Sequence, residues 1–205
     1  MANHIIVQAR TPEDREDFPT LFIMSAPTYL PALFGANVDK LMGSLFRYKR
    51  TLFSFEHMRC VKVDGKNAGM YLGYDWRVKK KEDPKTAELL ARYMEDEFTA
   101  QLPHLIWAGS VLCEIEDGTF YISNIAVYQE FRDRGLGTSL LLDAEEASRK
   151  LGAKSIALDV ETDNEGGIRL YKRMGYDIIG EPKGTVINGE EFEFFRMRKD
   201  ISSRP

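Results

Sequence analysis

An apolar, β-rich run, Tyr121-Ile-Ser-Asn-Ile-Ala-Val127, feeds a loop with two glycines, Gly135 and Gly137, and that loop opens onto a helix-patterned segment from residue 139 to 151. Strand, glycine loop and helix start in this order make an anion cradle. Backbone N–H groups without helical partners converge there, and the dipole of the following helix favours negative charge. The glycines permit positive φ and let a ligand approach the backbone. Arg132 and Arg134 add positive charge to the same loop. The first expectation is a phosphate-bearing ligand over Arg132, Asp133, Arg134, Gly135, Leu136, Gly137, Thr138 and Ser139.

Patterning around the cradle gives the fold class. Residues 155–160 read as the next strand, 165–174 as a helix closed by Gly175, 176–180 as a strand, and 192–198 as a final alternating strand after a turn at Asn188-Gly189. The second half is thus β-loop-α-β-α-β-β, an α/β chain with a mixed sheet and helices on its faces. The cradle helix, read as 138–151, ends on Lys150 and Gly152.

In the first half, residues 4–9 read as a strand. Thr11, Pro12 and Asp14 look like a helix start, with breaks at Pro27 and Pro31. Residues 38–46 have helical spacing, and 58–64 and 68–75 form a hairpin around Gly65. Residues 77–118 are too long for an ordinary connection between two strands. They read as a helical insertion with a face of Leu89, Leu90, Tyr93, Met94 and Phe98, over a site or at a dimer contact. The Lys79-Lys80-Lys81 triplet reads as a solvated face.

A length of 205 residues suits a single domain, 1–205, carrying the insertion. A formal charge of −4 argues against a nucleic-acid partner. No run reaches the roughly 18 apolar residues of a membrane helix, and the first ten residues lack a signal-peptide plan. Cys60 and Cys113 make neither a disulfide framework nor a metal spacing, and His4, His57 and His104 are unpaired in sequence, so no metal is expected. A cytoplasmic protein with buried, inert thiols is the expectation; a homodimer is left open.

Gly-x-Gly alone is a weak signal. A P-loop needs a lysine after its last glycine, and none follows Gly137; a dinucleotide fingerprint needs a small residue at position 140, which is Leu140. Val127-x4-Arg132-x-x-Gly135-x-Gly137-Thr138 instead resembles the acyl-CoA motif of the GCN5-related N-acetyltransferases (GNAT). So does the downstream Leu158-Asp-Val-x-x-x-Asn164-x-x-x-Ile168-x-Leu170-Tyr171-x-x-x-Gly175-Tyr176. The resemblance is specific over residues 121–180. Two departures are Gln129, where a proline is common, and Gly166-Gly167 in the first turn of the Tyr171 helix.

The resemblance implies a mostly antiparallel sheet splayed at the cofactor site, with helices on both faces. It implies acetyl-CoA as donor and an amine as acceptor, joined by direct attack in a ternary complex. Pyrophosphate would lie on the cradle, pantetheine would pair with the backbone of Ile125, Ala126 and Val127, and Asn164 would hydrogen-bond that arm. Tyr171 would be the general acid. Asp159, where acetyltransferases acting on ribosomal-protein N-termini carry a glutamate, and Glu161, two residues on, are the candidate bases; Tyr121 and Ser123 would line the acceptor site. The acidic balance favours a cationic acceptor such as a polyamine, aminoglycoside or basic peptide. The alternative is a non-catalytic acyl-CoA-binding sensor.

Overall fold

The computed structural model describes residues 4–9 and 17–202. Its strands are β1 (His4–Gln8), β2 (Met58–Val63), β3 (Lys66–Asp75), β4 (Thr119–Val127), β5 (Ser155–Glu161), β6 (Asp177–Ile187) and β7 (Glu190–Asp200). They form one sheet in the order β1-β2-β3-β4-β5-β7-β6. Every neighbouring pair is antiparallel except β4 and β5, which run parallel. β6 and β7 are joined through Asn188 and Gly189, both at positive φ (53° and 85°), the conformation that a tight hairpin turn requires.

The parallel pair is short. β4 and β5 pair from Thr119↔Ser155 to Ile122↔Leu158; beyond that, β4 runs to Val127 and β5 to Glu161 without pairing each other. A bulge at the same level explains the divergence. Leu72 faces Asn124 and Gly73 faces Ile122, so Ser123 is an extra residue in β4, and such a residue bends its strand and increases its twist. Gly73 is also a packing requirement, because a Cβ there would lie 2.7 Å from the Phe120 ring.

Helices cover both faces. On one lie α1 (Phe18–Ser25), α2 (Tyr29–Phe34), α3 (Val38–Leu45), α4 (Trp76–Met94) and α5 (Asp96–Trp107), followed by one π-helical turn, Ala108–Leu112. Their apolar faces pack with Met58, Cys60, Met70 and Leu72 of the sheet. On the other lie α6 (Leu136–Lys150) and α7 (Glu165–Arg173), over Val61, Tyr71, Ile122 and Ile156. The two-residue period of β2 and β3 sends alternate side chains into the two cores. Each fully buried Phe or Met, such as Phe18 and Met42, contributes roughly 2 kcal/mol.

Several expectations shift. The helix start at Thr11, Pro12 and Asp14 lies outside the described residues. The cradle helix begins at Leu136 rather than Thr138, because Gly135 in the left-handed region (φ 77°) is its cap residue. Residues 76–107 hold two helices, and the apolar face expected from Leu89 to Phe98 is divided between them. The polar stretch before residue 86 is part of α4, whose start is capped by the Asp75 carboxylate accepting from the Arg77 and Val78 amides, both at 3.0 Å. Lys79 is therefore buried and ion-paired to Asp83, one turn on, while Lys80 and Lys81 are exposed. No helix among the described residues is long and apolar enough to cross a membrane.

Candidate active site

The cradle is built at the start of α6. The first helical bond there runs from the Ser139 amide to the Gly135 carbonyl at 3.0 Å, so the amides of Leu136, Gly137 and Thr138 precede the helical ladder. Arg132, Asp133, Arg134 and Gly135 are exposed. Arg132 Nε donates to the Val127 carbonyl at 3.3 Å, which folds the loop back on the end of β4. Arg134 donates to the Glu130 carbonyl at 3.1 Å and lies over the Phe131 ring. The Ser139 hydroxyl is in contact with His4 Nε2 at 2.9 Å, tying the sheet edge to this helix. The two glycines differ in their reasons. Gly135 has open space where a Cβ would go and is needed for its φ, whereas a Cβ on Gly137 would lie 3.1 Å from Leu170 of α7.

α7 carries Asn164 and Tyr171 to the gap between β4 and β5. Asn164 caps α7, its Oδ1 accepting from the Gly167 amide at 2.9 Å. Gly167 is the counterpart of that cap, since a Cβ there would lie 3.0 Å from both Asn164 side-chain polar atoms. The unexpected glycine in the first turn is thus the clearance for the capping side chain. Tyr171 is buried, 6.1 Å from Tyr176 between ring centroids, and burial pushes its phenol up to about 12. It stays protonated at neutral pH.

The two candidate carboxylates stand in different surroundings. Asp159 faces Arg196 across the β5–β7 ladder. Arg196 Nε donates to Oδ1 at 2.6 Å and Nη2 to Oδ2 at 3.0 Å, and Tyr121 Oη donates to Oδ2 at 2.8 Å. Burial raises the Asp159 carboxyl, with Arg196 and Tyr121 pulling it back. Glu161 faces Phe194 instead. Its side chain has no hydrogen-bond or ion-pair partner among the described residues, and burial first, then the Asp163 charge, raises its carboxyl above the usual range.

These groups share one cavity of about 610 Å³, lined by Ile125, Asp159, Glu161, Asn164 and Tyr171 and also by Phe22, Leu30, Leu33 and Leu105. Tyr121 and Ser123 line it too. Tyr171 and Asn164 belong to the α6/α7 face and Phe22 and Leu30 to the opposite face, so the cavity exists because the sheet parts between β4 and β5. Cys113 lines it as well, its thiol pushed up to about 11 by burial and then by Asp159, which leaves it protonated rather than a nucleophile.

Arg196 is the residue the sequence reading missed. Besides Asp159 it donates to the Leu112 carbonyl and, at 2.8 Å, to the Glu114 carbonyl, fastening the end of the π-helical turn to the sheet. Its signal was an arginine in step with the core residues Phe192 and Phe194 of one strand. Helix α2, expected only as a broken helix end, supplies Tyr29, Leu30, Leu33 and Phe34 to the cavity.

Comparison with known proteins agrees with this geometry. The model of the acetyltransferase (GNAT) family matches residues 41–176. The chain is 33% identical over 73 residues to N-alpha-acetyltransferase 30 of Schizosaccharomyces pombe, covering 33% of this chain and 49% of that protein. It is 36% identical over 69 residues to the chloroplastic GCN5-related N-acetyltransferase 4 of Arabidopsis thaliana, covering 34% and 24%. The matches thus span about half or less of these relatives. Among solved structures, an N-acetyltransferase from Staphylococcus aureus Mu50 superposes with a TM-score of 0.68 at 22% identity, over 95% of this chain and 100% of that one. YncA of Salmonella typhimurium, solved with its cofactor acetyl-CoA, superposes at 0.58 and 15% identity, over 98% and 95%.

Proposed function

Because the chain belongs to the acetyltransferase (GNAT) family, we propose that it transfers an acetyl group from acetyl-CoA to a primary amine, with donor and acceptor bound together. One observation carries this reading: Glu161, Asn164 and Tyr171 line a single cavity at the gap where β4 leaves β5, and the helix that carries Tyr171 packs through Leu170 on Gly137 of the cradle. The cradle fits a pyrophosphate. Three amides ahead of the helical ladder and two exposed arginines offer donors and charge where α6 points its positive end. The unpaired edge of β4 at Ile125, Ala126 and Val127 offers backbone groups to an extended arm, and Asn164 keeps Nδ2 for it while Oδ1 caps α7.

Acetyl-CoA, when bound, supplies the thioester carbonyl and a thiolate leaving group. Glu161 takes the proton from the incoming ammonium, since it is the carboxylate without a partner and burial has made it more basic. Asp159 does not take this role in the proposal, because both its oxygens already accept hydrogen bonds. It holds Tyr121 and, through Arg196, the end of the insertion. Amide N–H groups at the end of β4 polarise the carbonyl. The Tyr171 phenol donates its proton toward the departing sulfur.

Release of free CoA thiol from acetyl-CoA in the presence of an amine panel tests the proposal. Turnover on at least one amine, reduced about 10²-fold or more in Tyr171→Phe, is expected. Tight CoA binding without turnover on any amine establishes the sensor reading instead.

A further inference from the structure

We infer that the acceptor is a monoamine on an extended apolar body, taken up with its ammonium at Glu161 and its body between α1, α2 and α5. The inference deepens the acetyltransferase reading and rests on it. The cavity's 610 Å³ far exceeds what an acetyl group fills, and it lies within the range of sites that enclose a drug-sized ligand. Away from Tyr171 and Glu161 its wall is Phe22, Leu30, Leu33, Phe34, Leu90 and Leu105.

One polar group on that wall, the buried Tyr29 hydroxyl, has no hydrogen-bond partner among the described residues, and the others are engaged with the protein. Ser25 donates to the Phe22 carbonyl and accepts from Asn124. Thr86 donates to the Glu82 carbonyl and accepts from the Leu52 amide. Ser110 donates to the Ile106 carbonyl and Ser123 to Asn124. A hydroxyl-rich acceptor would lose the water around all its hydroxyls there and find one unengaged group, Tyr29 Oη, to replace it.

Charge limits the acceptor further. The carboxylates that line the cavity are Asp83, Asp159 and Glu161. Asp83 is paired with Lys79 and Asp159 with Arg196, leaving Glu161 for one cationic head. A second ammonium would sit against aromatic and aliphatic side chains with no counter-charge. The wall therefore points away from the polyamines and aminoglycosides that the overall charge suggested. Ile106, 60% exposed, stands at the rim as an apolar lip.

The test is a series of linear monoamines from butylamine to octylamine, which share one head group, assayed with acetyl-CoA beside spermidine and kanamycin. With each added methylene, kcat/KM should rise about threefold to fourfold until the cavity is filled, as expected for burial of a CH₂ at about 0.8 kcal/mol. Spermidine and kanamycin should be poorer than octylamine. Ile106→Ser, at an exposed position that leaves the core intact, should raise KM for octylamine severalfold and leave kcat and KM for acetyl-CoA unchanged. A flat series, or spermidine or kanamycin matching octylamine, overturns this inference alone. Octanoyl-CoA replacing acetyl-CoA with higher kcat/KM toward butylamine also overturns it, by assigning the cavity to the donor. No turnover on any amine removes the acetyltransferase reading and this inference with it.

Discussion

Asp159 and Arg196 stand opposite each other on β5 and β7 and are joined by two hydrogen bonds, Nε to Oδ1 at 2.6 Å and Nη2 to Oδ2 at 3.0 Å. The side chains are 6% and 14% exposed, so the pair is largely withdrawn from water. Two residues along, the same register sets Glu161 opposite Phe194, which offers it nothing. One carboxylate is thereby paired, and the other is without a partner among the described residues.

Asp159→Asn removes the charge that compensates a buried guanidinium. Breaking such a pair costs about 3 kcal/mol, which for a domain of this size lowers Tm by roughly 6–12 °C. Thermal unfolding measures it. Activity should fall mainly through a higher KM for the amine, since the end of the insertion loses its anchor on Arg196. A variant as stable as the parent refutes the clamp.

Glu161→Gln should lower kcat/KM about 10²-fold or more and remove the acid limb of its pH profile. The base works only when ionised, so parental activity falls as pH drops through the Glu161 pKa. Burial and Asp163 raise that value, so the fall lies above the ordinary glutamate value of about 4.3. If the limb persists in Glu161→Gln and vanishes in Asp159→Asn, the assignment of the base is reversed.

Asn164 has two separable roles. Asn164→Ala should cost about 1 kcal/mol through the lost cap, together with weaker CoA binding. Asn164→Asp keeps an accepting oxygen for the Gly167 amide and a favourable charge at the helix start, but it lacks the Nδ2 donor. It should retain the parental Tm and still bind CoA less tightly by calorimetry. Unchanged CoA affinity in Asn164→Asp would confine the residue to capping.

The cradle glycines should fail differently. Gly135→Ala places an L side chain at φ 77° in open space, a strain of about 1–2 kcal/mol that Gly135→Asn partly escapes. Gly137→Ala meets Leu170 at 3.1 Å and should be relieved by Leu170→Ala in the double variant. Denaturant unfolding of the four single variants, Leu170→Ala included, and of the double variant distinguishes strain from overpacking.

Much of this site lay open in the chain itself. Gly135, Gly137 and the arginines beside them specify a strand-to-helix anion cradle because positive φ and free helical amides are local properties. Asn164 and Tyr171 were placed beside it by the resemblance of the downstream motif to the family, and their spacing of seven residues sets both on one face of a helix. Less could be read where burial decides. Lys79 reads as solvated until α4 buries it against Asp83. Arg196 lies 37 residues from Asp159, with no motif linking them.

The sequence by itself pointed to the cradle and the order of elements, since these rest on backbone conformation and short-range periodicity, while the candidate acid and bases were implied by the resemblance of its motifs to the family. Tertiary structure alone decided which carboxylate is free and what kind of space it faces. Strand register sets Asp159 against Arg196 and Glu161 against Phe194, and a one-residue bulge at Ser123 accompanies the parting of β4 from β5. Register and bulges are long-range pairings, fixed when the whole sheet closes over its two cores, so no single stretch of the chain encodes them.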